Sequence, residues 1–206
     1  MVWTTPELLY YAGLAGVAVF AVSGALAAAE KKLDILGFIL FATVTGVGGG
    51  TVRDLILDVD VFWVADATQL QACVLAGALT FFVAHRIIVL QRLLLWMDAM
   101  GLALFSVVGT AKAYALGVDP LVACVMGMMT TTLGSVIRDI LSGQEPVLLG
   151  PEIYVTAALV GSLSYLVLTN VLAQENLTLI VAILLAFGVR AGALLWDLRL
   201  PKFSRY

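Results

Sequence analysis

The sequence predicts an all-α integral membrane protein of seven transmembrane helices, arranged as two inverted three-helix repeats followed by a seventh helix. Three observations predict it. The 206-residue chain is 62% hydrophobic and 12% charged, with a mean hydropathy of +1.07, whereas soluble domains hold about 45–50% apolar and about 25% charged residues. Its apolar residues gather into seven stretches near the roughly 20-residue length that a helix needs to cross a hydrocarbon core about 30 Å thick. Finally, a charged pair and a helix-breaking glycine recur at one fixed offset along the chain.

The predicted spans are 7–29, 35–57, 68–89, 93–115, 120–141, 153–172 and 177–196, all in a single transmembrane domain. Span one follows the N-terminus MVWTTPELLYYAG, which lacks the basic region of a secretory signal; no removable targeting peptide is expected. Spans two and five reach full length only when Arg53–Asp54 and Arg138–Asp139 at their far ends are included. Span three closes beside His85 and Arg86, a pair that reads as membrane interface. Span four carries Asp98 near one end and Lys112 near the other, and span seven carries Arg190.

Cys73 and Cys124 lie within apolar runs and read as small buried hydrophobes. Two isolated thiols and one histidine provide neither metal-ligand spacing nor a Ser-His-Asp set. No enzyme activity, metal site, cofactor or nucleic-acid partner is expected.

The loop cations fix the expected orientation. Lys31, Lys32, Arg86, Arg92, Arg199, Lys202 and Arg205 all fall in loops on one side, which makes that side cytoplasmic. The opposite loops, 58–66, 117–119 and 173–176, carry acids and no Lys or Arg. The N-terminus is then outside and the C-terminus inside. Trp3, Trp63, Trp96 and Trp196 near span ends read as interfacial anchors.

Arg53 and Asp54 recur as Arg138 and Asp139, an offset of 85 (138 less 53). The same ungapped offset pairs Gly16 with Gly101, Phe20 with Phe105, Gly24 with Gly109, Asp34 with Asp119, Thr45 with Thr130 and Gly49 with Gly134. Each copy, about 7–89 and about 93–172, holds three spans, so the second enters the membrane from the opposite side. Helix 7, about 177–196, stands outside the repeat.

Glycine costs about 1 kcal/mol relative to alanine inside a helix, so Gly48, Gly49 and Gly50 in TGVGGGTVRD predict a loosened or kinked span two. Freed carbonyls at membrane depth must face protein or a water-filled cavity, and there they can replace a cation's hydration shell. Thr43, Thr45, Thr51, Thr130, Thr131, Thr132, Gly134 and Ser135 place hydroxyls and a second glycine around the two breaks. For Gly16, Gly24, Gly101 and Gly109, close helix packing is the better expectation. A phosphate loop fits poorly: GVGGGT is followed by no lysine, preceded by no strand and lacks a distal acidic partner.

Ionisable groups within spans are functional candidates by default. Adjacent helix residues do not face each other, so each charge is expected to find its partner on another helix. Depth suggests Lys112 with Asp54 and Asp98 with Arg138; Arg190 reads as snorkelling to headgroups. These features suit a channel and a secondary transporter of a small solute, such as glycine, equally well.

The signatures GGGTVRD and LGSVIRD, the two inverted repeats and the added span together resemble the prokaryotic members of the trimeric intracellular cation (TRIC) channel family, once grouped with candidate glycine transporters. The resemblance implies a homotrimer in the inner membrane, with one pore per protomer lined by kinked helices two and five. It implies passage of potassium and also sodium; no cofactor is expected beyond these permeant ions and bound lipid. It maps the kinks to Gly48, Gly49, Gly50 and Gly134, and a functionally important basic residue of the fourth span to Lys112. Two departures follow: LGS in place of GGG implies a milder kink in span five, and the short tail argues against phosphoinositide control.

Overall fold

The computed structural model describes residues 5–86, 90–150, 152–172 and 174–201. Among them the fold is all α-helical: α1 (Thr5–Glu30), α2 (Ile35–Ile56), the four-residue α3 (Phe62–Ala65), α4 (Thr68–Ala84), α5 (Leu90–Ala115), α6 (Pro120–Leu141), α7 (Val155–Val171) and α8 (Glu175–Trp196). A single 3-10 turn covers Val147–Leu149. Helices α1, α2, α5, α6 and α8 are long and apolar enough to cross a membrane, and α4 and α7 are apolar helices of 17 residues each. Trp3, Lys202 and Arg205 lie outside the described residues, as does the end of predicted span three at 87–89.

Sequence chemistry sets the helix ends. The Asp34 carboxylate accepts from the Gly37 amide at 2.8 Å and opens α2. Asp119 accepts from the Leu121 amide at 2.8 Å and opens α6, with Pro120 in the first turn, where its missing N–H costs nothing. The chain leaves α5 through Gly117 at φ +78° and α6 through Gly143 at φ +63°, the left-handed geometry that glycine adopts without a Cβ penalty. At the matching places after α1 and α2, Lys32 (φ 55°) and Asp58 (φ 53°) take the same geometry. Both caps and both turns therefore recur at the 85-residue offset.

Helices α1, α2, α5 and α6 form the centre of the bundle. α1 packs on α5, α2 and α4; α5 also packs on α6, α7 and α8; and α2 crosses α6. Phe20 and Phe105 meet at the α1–α5 contact with ring centroids 5.2 Å apart. A Cβ on Gly16 would sit 2.8 Å from the Phe105 ring, and a Cβ on Gly101 would sit 2.8 Å from the Phe20 ring. The contact is reciprocal, and it is the close packing expected of these glycines. Outward-facing positions such as Leu36 and Leu121 are 70% and 73% exposed, as side chains that face lipid would be.

Three expectations need adjustment. The loop after α2 contains α3, and α5 begins at Leu90, so Arg92 is in its first turn and not in a loop. α8 begins at Glu175, two residues before predicted span seven. Trp63 is half-buried, and its indole N–H donates to Thr51 Oγ1 at 2.8 Å, so it does more than anchor at an interface.

Candidate functional site

The site lies where α2 crosses α6. A Cβ at Gly49 would overlap the backbone carbonyl oxygen of Thr130, and a Cβ at Gly134 would lie 2.8 Å from the carbonyl oxygen of Thr45. Gly49 and Gly134, like Thr45 and Thr130, are offset partners, so each helix presents its glycine to the other's threonine carbonyl. The two backbones touch there, with Cα–H groups facing carbonyl oxygens.

Of the loosening or kink expected at the glycines, unwound backbone is not seen among the described residues. α2 runs as helix through Gly48, Gly49 and Gly50, and α6 through Gly134, without a positive φ in either. The reason is steric: at Gly49 the missing side chain makes room for another backbone. At Gly50 a Cβ would approach Phe62 Cε1 at 2.6 Å, whereas at Gly48 it would meet only Ile137 Cδ1 at 3.1 Å.

Three of the hydroxyls around the crossing turn back onto their own helices. Thr51 donates to the Val47 carbonyl at 2.7 Å, Thr130 to Met126 at 2.6 Å and Thr132 to Met128 at 2.7 Å. Among the described residues, Thr45 Oγ1 and Thr131 Oγ1 are buried without a hydrogen-bond partner. Ser135 donates to Asp98 Oδ1 at 2.9 Å and shares a hydrogen bond with the Tyr154 hydroxyl.

Two buried charge clusters bracket the crossing. At the end of α2, Arg53 Nε and Nη2 both hold Asp54 Oδ1, at 2.9 and 2.8 Å, and Asp54 Oδ2 accepts from the Phe62 amide at 2.9 Å. At the end of α6, Arg138 Nε and Nη2 hold Asp139 Oδ1 at the same distances, and Asp139 Oδ2 accepts from the Val147 amide at 3.0 Å. Expecting partners only on other helices was therefore incomplete, because the arginine side chain is long enough to fold back onto the adjacent carboxylate. Each carboxylate then pins the segment that follows its helix, α3 or the 3-10 turn.

Residues from α5 make the clusters unlike. Lys112 Nζ reaches both oxygens of Asp54 at 2.9 Å, and Asp98 Oδ1 receives Arg138 Nη1 at 2.6 Å. Both are the inter-helix contacts expected from depth. Arg138 Nη1 also donates to Ser23 Oγ at 2.6 Å. The Asp54 end thus has two cations and one carboxylate, and the Asp139 end one cation and two carboxylates.

Arg190 overturns the snorkelling expectation. It is 1% exposed, bonds Glu152 Oε2 at 2.6 Å, and lies over the Tyr154 ring at 5.2 Å. Tyr154 and Ser23 escaped the sequence reading because neither stands at an offset from a residue of like chemistry. Phe62 could have been suspected, since it stands 85 residues before Val147, just as Asp54 stands before Asp139.

The geometry describes a multi-pass helical membrane protein with a charged, small-residue crossing at its centre. A sequence profile described as "Glycine transporter" matches the chain twice, over residues 10–85 and 95–170. The UPF0126 inner membrane protein YadS of Escherichia coli (strain K12) is 37% identical, covering 96% of this chain and 97% of its own. A solved TRIC trimeric intracellular cation channel orthologue from Rhodobacter sphaeroides superposes with a TM-score of 0.89 at 43% identity, over 92% of this chain and 98% of that one. A prokaryotic TRIC channel solved in 0.5 M KCl gives a TM-score of 0.86 at 28% identity, over 92% and 96%. The chain belongs to the UPF0126 membrane-protein family, which includes the TRIC channels.

Proposed function

We propose that the protein is a monovalent cation channel of the inner membrane, passing potassium and also sodium. It works as a homotrimer with one pore in each protomer, lined by α2 and α6. The observation that carries this reading is the reciprocal α2–α6 crossing, Gly49 on the Thr130 carbonyl and Gly134 on the Thr45 carbonyl, bracketed by buried charge clusters. The likeness to solved TRIC channels supports it.

The α2–α6 contact acts as the closed constriction, and ions pass when the helices part. Asp98 favours cations at the Asp139 end: among the described residues its Oδ2 is buried without a hydrogen-bond partner, in a cluster with one carboxylate in excess. The double profile match, the paired caps and the reciprocal contacts support two inverted three-helix repeats, with α8 as the seventh span. The arrangement of loop cations supports a cytoplasmic C-terminus, and lipid occupies the exposed apolar faces.

Planar-bilayer recording of the purified protein tests the proposal: unitary potassium currents are expected. The second reading, a carrier for glycine, draws on the name of the matching profile. Gradient-driven, saturable glycine uptake into proteoliposomes, without unitary currents, would favour it.

A further inference from the structure

The 85-residue offset relates the two arginines but not their surroundings. Arg138 uses all three guanidinium nitrogens: Nε and Nη2 on Asp139, and Nη1 on Asp98 and Ser23. Arg53 uses Nε and Nη2 on Asp54 in the same way. Eighty-five residues before Asp98 stands Gly13, and 85 after Ser23 stands Val108. Neither has a side chain that can accept a hydrogen bond. Among the described residues, Arg53 Nη1 therefore has no ion-pair or hydrogen-bond partner, although Arg53 is only 4% exposed.

A cavity of about 340 Å³ occupies this place, lined by Gly13, Arg53, Phe62, Phe105, Val108 and Lys112 among others. Both cations lie 5.9 Å from the Phe62 ring centroid. Among the described residues one carboxylate, Asp54, serves both, so the cluster keeps one positive charge. An uncompensated charge at membrane depth is costly, and such charges pair wherever a partner can reach them.

We propose that this cavity binds an oxyanion, a carboxylate or a phosphate, which takes on Arg53 Nη1 and Lys112 the place that Asp98 takes on Arg138. The anion completes the Asp54-end cluster and offsets its excess positive charge. The remaining walls are largely apolar, so the site also accepts an oxyanion attached to an apolar body. A free anion and a phospholipid headgroup supply the same chemistry. The assignment holds whichever solute crosses the protein.

Position 13 offers a direct test. A Cβ there would meet only Val108 Cγ1, at 3.7 Å, an ordinary contact, so Gly13→Asp can install within the chain the carboxylate that the other half already has. Thermal stability of the detergent-purified protein is titrated with sodium phosphate and sodium acetate against sodium chloride at matched ionic strength. In parallel it is titrated with phosphatidylglycerol against phosphatidylcholine in mixed micelles. The wild type should show saturable stabilisation by an oxyanion. A response to phosphate or acetate identifies a free anion, and a response to phosphatidylglycerol alone identifies a headgroup.

Gly13→Asp should weaken the apparent affinity at least about tenfold, equivalent to about 1.4 kcal/mol, while Gly13→Ala keeps it. Lys112→Gln should weaken it as well, and it serves as the independent arm if Gly13→Asp does not assemble. A wild type that distinguishes none of these anions from chloride overturns the proposal. So does Lys112→Gln, or an assembled Gly13→Asp, that binds as the wild type does.

Discussion

The three consecutive glycines should not respond alike to alanine. At Gly49 the new methyl overlaps the Thr130 carbonyl. That oxygen belongs to a helix backbone and cannot rotate away, so α2 and α6 must separate. Overpacking a tight contact costs about 1–3 kcal/mol, and a rigid backbone neighbour places Gly49→Ala toward the upper end, at a net loss of about 2 kcal/mol after the helix-propensity gain of up to about 1 kcal/mol. At Gly48 the methyl meets only the far end of Ile137, at 3.1 Å, which can shift; Gly48→Ala should lie between neutral and about 1 kcal/mol stabilising. Gly50→Ala falls between them, because the Phe62 ring at 2.6 Å must turn aside. The assay is survival of the assembled size-exclusion peak after graded heating. At about 2–4 °C per kcal/mol for a chain of this size, the midpoint for Gly49→Ala should fall by about 4–8 °C while that for Gly48→Ala holds or rises. Equal losses at the two positions would refute the reasoning, because a flexible hinge, unlike a one-sided packing contact, would treat them alike.

Other expectations follow from the charge clusters. Asp98→Ala leaves Arg138 short of one buried partner and should cost about 3–5 kcal/mol, with Asp98→Asn milder because the amide oxygen still accepts; heated size-exclusion survival ranks the two. Ser135→Ala removes the hydroxyl linking Asp98 to Tyr154 and should cost about 1–3 kcal/mol, read in the same assay. Glu152→Gln should cost no more than about 1 kcal/mol, because the Glu152 side chain is 40% exposed, whereas Arg190→Met removes a fully buried group and its contact with Tyr154 and should cost more.

The helices were legible because each carries its own signal. Span five, 120–141, matches α6 at both ends, since Asp119–Pro120 opens the helix and Gly143 closes the turn after it. The offset was legible from Arg53–Asp54 and Arg138–Asp139, and it reappears in caps, left-handed turns and reciprocal glycine contacts. The meaning of the glycines was not legible. A glycine that loosens its own helix and one that admits another backbone look the same in sequence, and only the position of the Thr130 carbonyl separates them. Arg190 was misjudged because its partner Glu152 stands in the segment before α7, where no periodicity marks it. The empty edge of Arg53 was hidden for a similar reason: it depends on Gly13 and Val108 lacking the groups that Asp98 and Ser23 supply.

The most direct test of the central claim is the current carried by the purified protein in a planar bilayer under a potassium chloride gradient. A cation channel predicts discrete unitary steps that reverse near the potassium equilibrium potential. Well-assembled protein that gives no unitary steps, yet drives saturable glycine uptake in proteoliposomes, would contradict it.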